Sequence, residues 1–161
     1  MFGIILFLTL LFGMYFYNVY LREYFEVIRT YRALRRLLET RDLILLKLLP
    51  DVNNKNLSKK ILNLIDQRRK KAKISFDDGI IADAELNSAL KTLYEKINNM
   101  KKNELQEEMF KHLIGLEKQL KSVRTRYSEA VTKYNYALAA HPKVLIKMLH
   151  LRTFQLYGNK N

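Results

Sequence analysis

The first 21 residues, MFGIILFLTLLFGMYFYNVYL, contain no charged side chain. A helix rises about 1.5 Å per residue and the hydrocarbon core of a bilayer is roughly 30 Å thick, so this stretch is predicted to form a single membrane span. It has neither a basic leader nor a small-x-small cleavage site, and is therefore expected to stay attached rather than be removed as a secretory signal. Tyr15, Phe16, Tyr17 and Tyr20 crowd its C-terminal end, where aromatic rings suit the headgroup boundary. No basic residue precedes the span, while Arg22, Arg29, Arg32, Arg35 and Arg36 follow it. The positive-inside rule then puts the N-terminus outside and the rest of the chain in the cytoplasm.

Beyond the span, proline occurs only at 50 and 142, and no glycine appears before Gly79. Long helices are favoured over short strands with frequent turns. A stripe of Tyr24, Val27, Tyr31, Leu34, Leu38, Leu45 and Leu48 recurs near heptad spacing, interrupted by Arg41, and continues the span as one rod until Pro50. A second helix is predicted to start near Asn56 or Ser58, with Leu57, Ile61, Leu64 and Ile65 inward. The break ISFDDG follows, where Ser75 and Asp78 stand at capping-box spacing, and a third helix carries Leu86, Leu90, Leu93 and Ile97.

The last helix, the longest after the first rod, begins at Asn103, with Gln106 as its capping partner, and runs to about His141. From Leu113 through Leu116, Leu120, Val123, Tyr127, Ala130, Tyr134 and Ala137 its apolar positions alternate three and four apart. A period sustained that far describes a helix packed along nearly its whole length. The fold class is therefore all-α: an N-terminal transmembrane helix (1–21) continuing into an antiparallel bundle of three to four long helices (22–142). A short amphipathic tail (143–161) interleaves Val144, Leu145, Met148, Leu149, Leu151 and Phe154 with basic residues, and suits either the membrane surface or the end of the bundle.

Chemistry is sparsely encoded. There is no cysteine, which excludes disulfides and thiolate sites. His112, His141 and His150 are isolated, and no phosphate loop, nucleophile elbow or zinc-binding helix motif occurs. No catalytic, cofactor-binding or metal-binding residue is assigned. The formal net charge of +13 lies wholly outside the span and points to anionic partners, the nearest being the inner leaflet. Arg68, Arg69, Lys70, Lys71 and Lys73 form the densest basic run and are the candidates for binding an anionic surface. They lack a reading helix or a base-stacking sheet, which disfavours nucleic acid. Tyr127 and Tyr134 lie on the long stripe and are expected in the core. Arg41 and Asp42, which interrupt an apolar stripe, and Asn135 together with Tyr127 and Tyr134 are candidates for an interaction or for fixing helix register.

In order and spacing the chain resembles the LemA family. The resemblance rests on Tyr17 and Asn18 ending the span, on LLETRDLILLKLL with Arg41, Asp42, Leu43 and Ile44, and on ELNSALKTLYEKI. It rests most on Arg126, Tyr127, Val131, Tyr134 and Asn135, which match an arginine-tyrosine pair followed by Tyr-Asn. Leu45 stands where the family often has a proline, which moves the break of the first helix to Pro50. The resemblance implies one N-terminal span in a bacterial cytoplasmic membrane, a cytoplasmic antiparallel helical bundle, and no catalytic residue to carry over. Some relatives take part in membrane-associated assembly. The function expected is that of a membrane-tethered scaffold with a protein partner or a second copy, the alternative being binding of anionic lipid or nucleic acid through the basic surface.

Overall fold

The computed structural model describes residues 2–52, 54–99, 103–140 and 151–157, with Thr9 and Phe16 described by their backbone alone. Four long helices follow one another: α1 (Phe2–Leu48), α2 (Lys55–Ile74), α3 (Phe76–Asn98) and α4 (Glu104–Ala139). No strand occurs among the described residues.

Each boundary has a local cause. Pro50 has no N–H to donate and its ring clashes with the carbonyl four residues back, so α1 tightens into one 3-10 turn, Leu49–Asp51, and stops. The next helix starts earlier than the sequence suggested. Asn54, rather than Asn56 or Ser58, caps α2 by accepting the Leu57 N–H at 3.0 Å, and Ser58 instead donates its hydroxyl to the Leu49 carbonyl.

Between α2 and α3 only Ser75 intervenes, in an extended conformation and without a capping hydrogen bond from its side chain, so the expected capping box there does not form. A turn this short forces the two helices together. A Cβ on Gly79 would lie 2.9 Å from the Cα of Ala72, and only glycine permits that approach. The capping box at Asn103 and Gln106 does form, with reciprocal bonds of 2.8 and 3.0 Å.

The helices pack as two antiparallel pairs, α1 with α4 and α2 with α3. At one end of the first pair the hydroxyls of Tyr20 and Tyr134 meet at 2.6 Å, and at the other Gln106 donates to the Asp51 carboxylate at 2.8 Å. The core is the set of stripes anticipated above. Val27, Leu34 and Leu45 of α1, Leu86, Leu90 and Leu93 of α3, and Leu113, Leu120 and Tyr127 of α4 are fully buried.

α4 buries a wider face than two positions per heptad. Phe110, Arg124, Val131 and Leu138 are buried on a third line that also carries the half-buried Glu117. A helix with three inward lines touches two neighbours at once. In contrast, every described side chain from Phe2 to Asn18 is exposed. The first 17 residues of α1 stand clear of the bundle and the rest line its core, and among the described residues α1 is the one helix long and apolar enough to cross a membrane.

Candidate functional site

Neighbours on a helix point about 100° apart, so Arg41 and Asp42, two turns from the C-terminal end of α1, face different partners. Both are fully buried. Arg41 reaches α3 and α4: its Nη2 donates to Asp83 Oδ1 at 2.5 Å, and its Nη1 lies 3.6 Å from Glu117 Oε1. Asp42 reaches α2, accepting from Arg68 and, at 3.1 Å, from Arg69. The two residues do not pair with each other. Together they tie α1 to all three other helices.

Asp83 is the centre of this network. Its second oxygen accepts from Arg124 Nη2 at 3.0 Å and from the Tyr157 hydroxyl at 2.5 Å, while Glu117 accepts from the Tyr94 hydroxyl at 2.8 Å and faces Arg124 at 3.5 Å. Arg41 and Arg124 are thus balanced by Asp83 and Glu117. Burial acts to raise the Asp83 carboxyl, but Arg41 and then Arg124 outweigh it and hold the group below its ordinary value. Burial likewise acts to strip Arg41 of its proton, and Asp83 with Glu117 reverses this, so its value is raised. Tyr94 and Tyr157 are pushed up by burial first and by Glu117 and Asp83 second. The arrangement therefore offers fixed charges, held in register across four helices, rather than a group that exchanges protons near neutrality. Within it, Arg41 Nε, Asp42 Oδ1, Arg68 Nε and Arg124 Nε have no hydrogen-bond partner among the described residues.

The described part of the tail lies across this bundle without helical structure. Phe154 is buried, with its ring 5.2 Å from that of Tyr134 and 6.1 Å from that of Tyr24. Asn135 clamps the backbone of Phe154 from both sides, donating to its carbonyl at 2.8 Å and accepting its N–H at 3.1 Å. Asp77 accepts the Gln155 N–H, and the hydroxyls of Tyr127 and Tyr134 donate to the carbonyls of Gln155 and Arg152. Of the two settings open to the tail, residues 151–157 occupy the one against the bundle. The apolar positions from Val144 to Leu149 lie outside the described residues.

Tyr127 and Tyr134 are core residues whose hydroxyls hold the tail. Asn135 holds it too, and so acts within the chain. The basic run is divided. Arg68 is buried against Asp42, Arg69 also pairs with Asp42, and Lys70 pairs with Asp66, which leaves Lys71 and Lys73 exposed at the end of α2. Arg68 is inward because α2 must supply the cation that Asp42 needs.

Asp83, Glu117, Arg124 and Tyr157 were not singled out from the sequence, although signals existed. Asp83 precedes Leu86, Leu90, Leu93 and Ile97 on the same stripe, and Glu117 and Arg124 stand at seven-residue intervals between Phe110 and Val131. Among the described residues no three His, Cys, Asp or Glu side chains gather in a way that could hold a metal ion.

The chain matches the model of the LemA family over residues 36–160, which spans α2, α3, α4 and the distal part of α1. No curated protein and no solved structure matches it.

Proposed function

We propose that this chain, which belongs to the LemA family, is a non-catalytic scaffold tethered to the bacterial cytoplasmic membrane. Its N-terminus lies outside, its bundle lies in the cytoplasm, and its helical faces hold a protein partner or a second copy. The family is not a known enzyme family. The observation that carries this reading is α1 itself. One unbroken helix passes from a segment with no charged residue, whose described side chains from Phe2 to Asn18 are exposed, to one that is the spine of the bundle. Exposed apolar rings and aliphatic chains at Phe2, Ile4, Phe7, Leu10 and Phe12 are costly in water and are satisfied in hydrocarbon.

The same element supports the proposed placement. Tyr15 and Tyr17 are exposed on α1, and Tyr136 is exposed on α4 close to where Tyr134 meets Tyr20. This group of rings suits the boundary between hydrocarbon and water. The arginines of α1 begin directly beyond it, on the side expected to face the cytoplasm.

Membranes washed with alkaline carbonate should retain the chain, protease added to intact cells should spare a C-terminal tag, and cross-linking in cells should yield a defined product containing the chain. A chain that washes off, or one that stays monomeric at high concentration in detergent and gives no cross-linked product, removes the scaffold reading.

A further inference from the structure

Past Tyr20, α1 carries a second stripe besides the one that faces α4. Arg22, Phe25, Arg29, Arg32 and Arg36 follow one another three and four residues apart, and all are exposed. Beside this stripe the half-buried side chains of Tyr24, Ile28 and Phe76 complete an open groove of about 790 Å³. Among the described residues that line it there is no carboxylate. The guanidinium groups of Arg29, Arg32 and Arg36 have no ion pair or hydrogen bond among the described residues, whereas Arg35 on the adjacent face is paired with Glu39 at 2.8 Å. Three unmatched cations beside an aromatic wall form a binding surface, not a salt-bridged helix face.

The occupant is constrained by position and sign. A second copy brings its own net charge of +13, so two such stripes repel. Arg29 is nine residues beyond Tyr20, about 13 Å along the helix. Long side chains on a helix lie over the turn N-terminal to their own Cα, and on α1 that direction is toward the span. The guanidinium of Arg29 is thereby lowered by about one 5.4 Å turn, to roughly 8 Å beyond Tyr20, with Arg32 about 4.5 Å further out. Headgroups extend roughly 5–7 Å past the hydrocarbon, and their field persists for a further Debye length of about 8 Å.

We infer that this juxtamembrane groove holds the headgroup of an anionic phospholipid, with Phe25 and Ile28 against the glycerol region and Arg29 and Arg32 on the phosphate. The inference rests on the membrane-tethered reading. It moves the anionic contact from the Arg68–Lys73 run, where Arg68 is buried and Arg69 is paired, to α1.

The test uses the full chain in nanodiscs made of equal parts phosphatidylcholine and phosphatidylglycerol, followed by native mass spectrometry of the lipids that leave with the protein. The wild-type chain should retain phosphatidylglycerol in excess. Arg29→Gln should reduce that excess about fivefold, Arg32→Gln less, and Arg36→Gln least, because each cation near the surface contributes less as it stands further from it. A control carrying Lys59→Gln, Lys91→Gln and Lys118→Gln, three exposed cations on the other helices, should keep the wild-type excess. Circular dichroism confirms that each variant is folded. An unchanged excess in a chain that carries Arg29→Gln, Arg32→Gln and Arg36→Gln together overturns the lipid assignment and leaves the stripe to an acidic partner. An equal loss in the lysine control overturns it as well, since diffuse charge would then suffice. Failure of the chain to float with vesicles removes the membrane reading instead, and the lipid site with it.

Discussion

Replacing Asp83 by asparagine keeps the side chain's shape and removes its charge. In the folded chain that carboxylate is fully buried and receives Arg41, Arg124 and Tyr157 at 2.5, 3.0 and 2.5 Å. Without it Arg41, itself fully buried, is left with Glu117 at 3.6 Å as its only counter-charge among the described residues. Breaking a buried pair by deleting one partner typically costs about 3–5 kcal/mol, because the remaining ion stays desolvated. Set against about 5–15 kcal/mol of total stability for a domain, that is a large fraction.

The assay is urea unfolding of the full chain in a mild detergent, followed by far-ultraviolet circular dichroism, with wild type and Asp83→Asn compared at neutral pH. The midpoint should fall while the slope stays the same. The pH dependence supplies a second signature. Asp83 has a lowered value in the folded chain, so its contribution is fully present above the ordinary carboxylate value of 3.8 and is lost as pH falls through the lowered one. Wild type should therefore lose more stability on acidification than Asp83→Asn, and the two should converge. A difference below about 0.5 kcal/mol at neutral pH, the range of an ordinary surface change, would show that the network does not hold the bundle together.

Asn135→Ala removes two hydrogen bonds to the Phe154 backbone, each worth about 0.5–1.5 kcal/mol, so amide exchange at residues 152–157 should accelerate while the centre of α4 remains protected. Unchanged exchange would show that Phe154 holds the tail without the clamp. Gly79→Ala drives a methyl group into the backbone of Ala72 and should cost about 1–3 kcal/mol, read as a lower melting temperature. The pair Gly79→Ala with Ala72→Gly should recover part of the loss. In alkali, Tyr94, Tyr127 and Tyr157, all raised chiefly by burial, contribute stability below the ordinary tyrosine value of 10.0 that is lost as pH rises through their folded values. Phenolate absorbance should thus show a late-titrating class whose appearance coincides with loss of helical signal. Full titration of all tyrosines with the helices intact would contradict their burial.

The helices were legible in the sequence because period and punctuation agree. The stripe from Val27 to Leu48 and the proline that ends it agree on the end of α1, and the Asn103–Gln106 box marks the start of α4. What escaped was the meaning of polar residues lying on those stripes. Arg41 stood out because a charge within an apolar row is conspicuous, but Asp83 lies near the start of its row and Glu117 and Arg124 lie on a third line beside a convincing two-line heptad. Sequence spacing also identifies which residues face inward without saying which helix they meet, so Arg68 looked like part of a solvated run until Asp42 was placed opposite it. The tail posed the opposite difficulty. Its aromatic anchors, Phe154 and Tyr157, are held by contacts with residues 19 and 74 positions away, which no local period records.

From Gly13 to Lys47 the first helix contains no further glycine and no proline, and nothing in it serves as a joint. The distance from Tyr20 to Leu48 is about 42 Å, so each 10° of lean at the bilayer sweeps the far tip sideways by about 7 Å. Spans lean to match hydrocarbon thickness. In a membrane, a thinner or thicker patch would therefore be converted by this lever into the lateral position of the tip around Asp51 and Gln106, and whatever grips that tip would feel the bilayer's depth as a displacement.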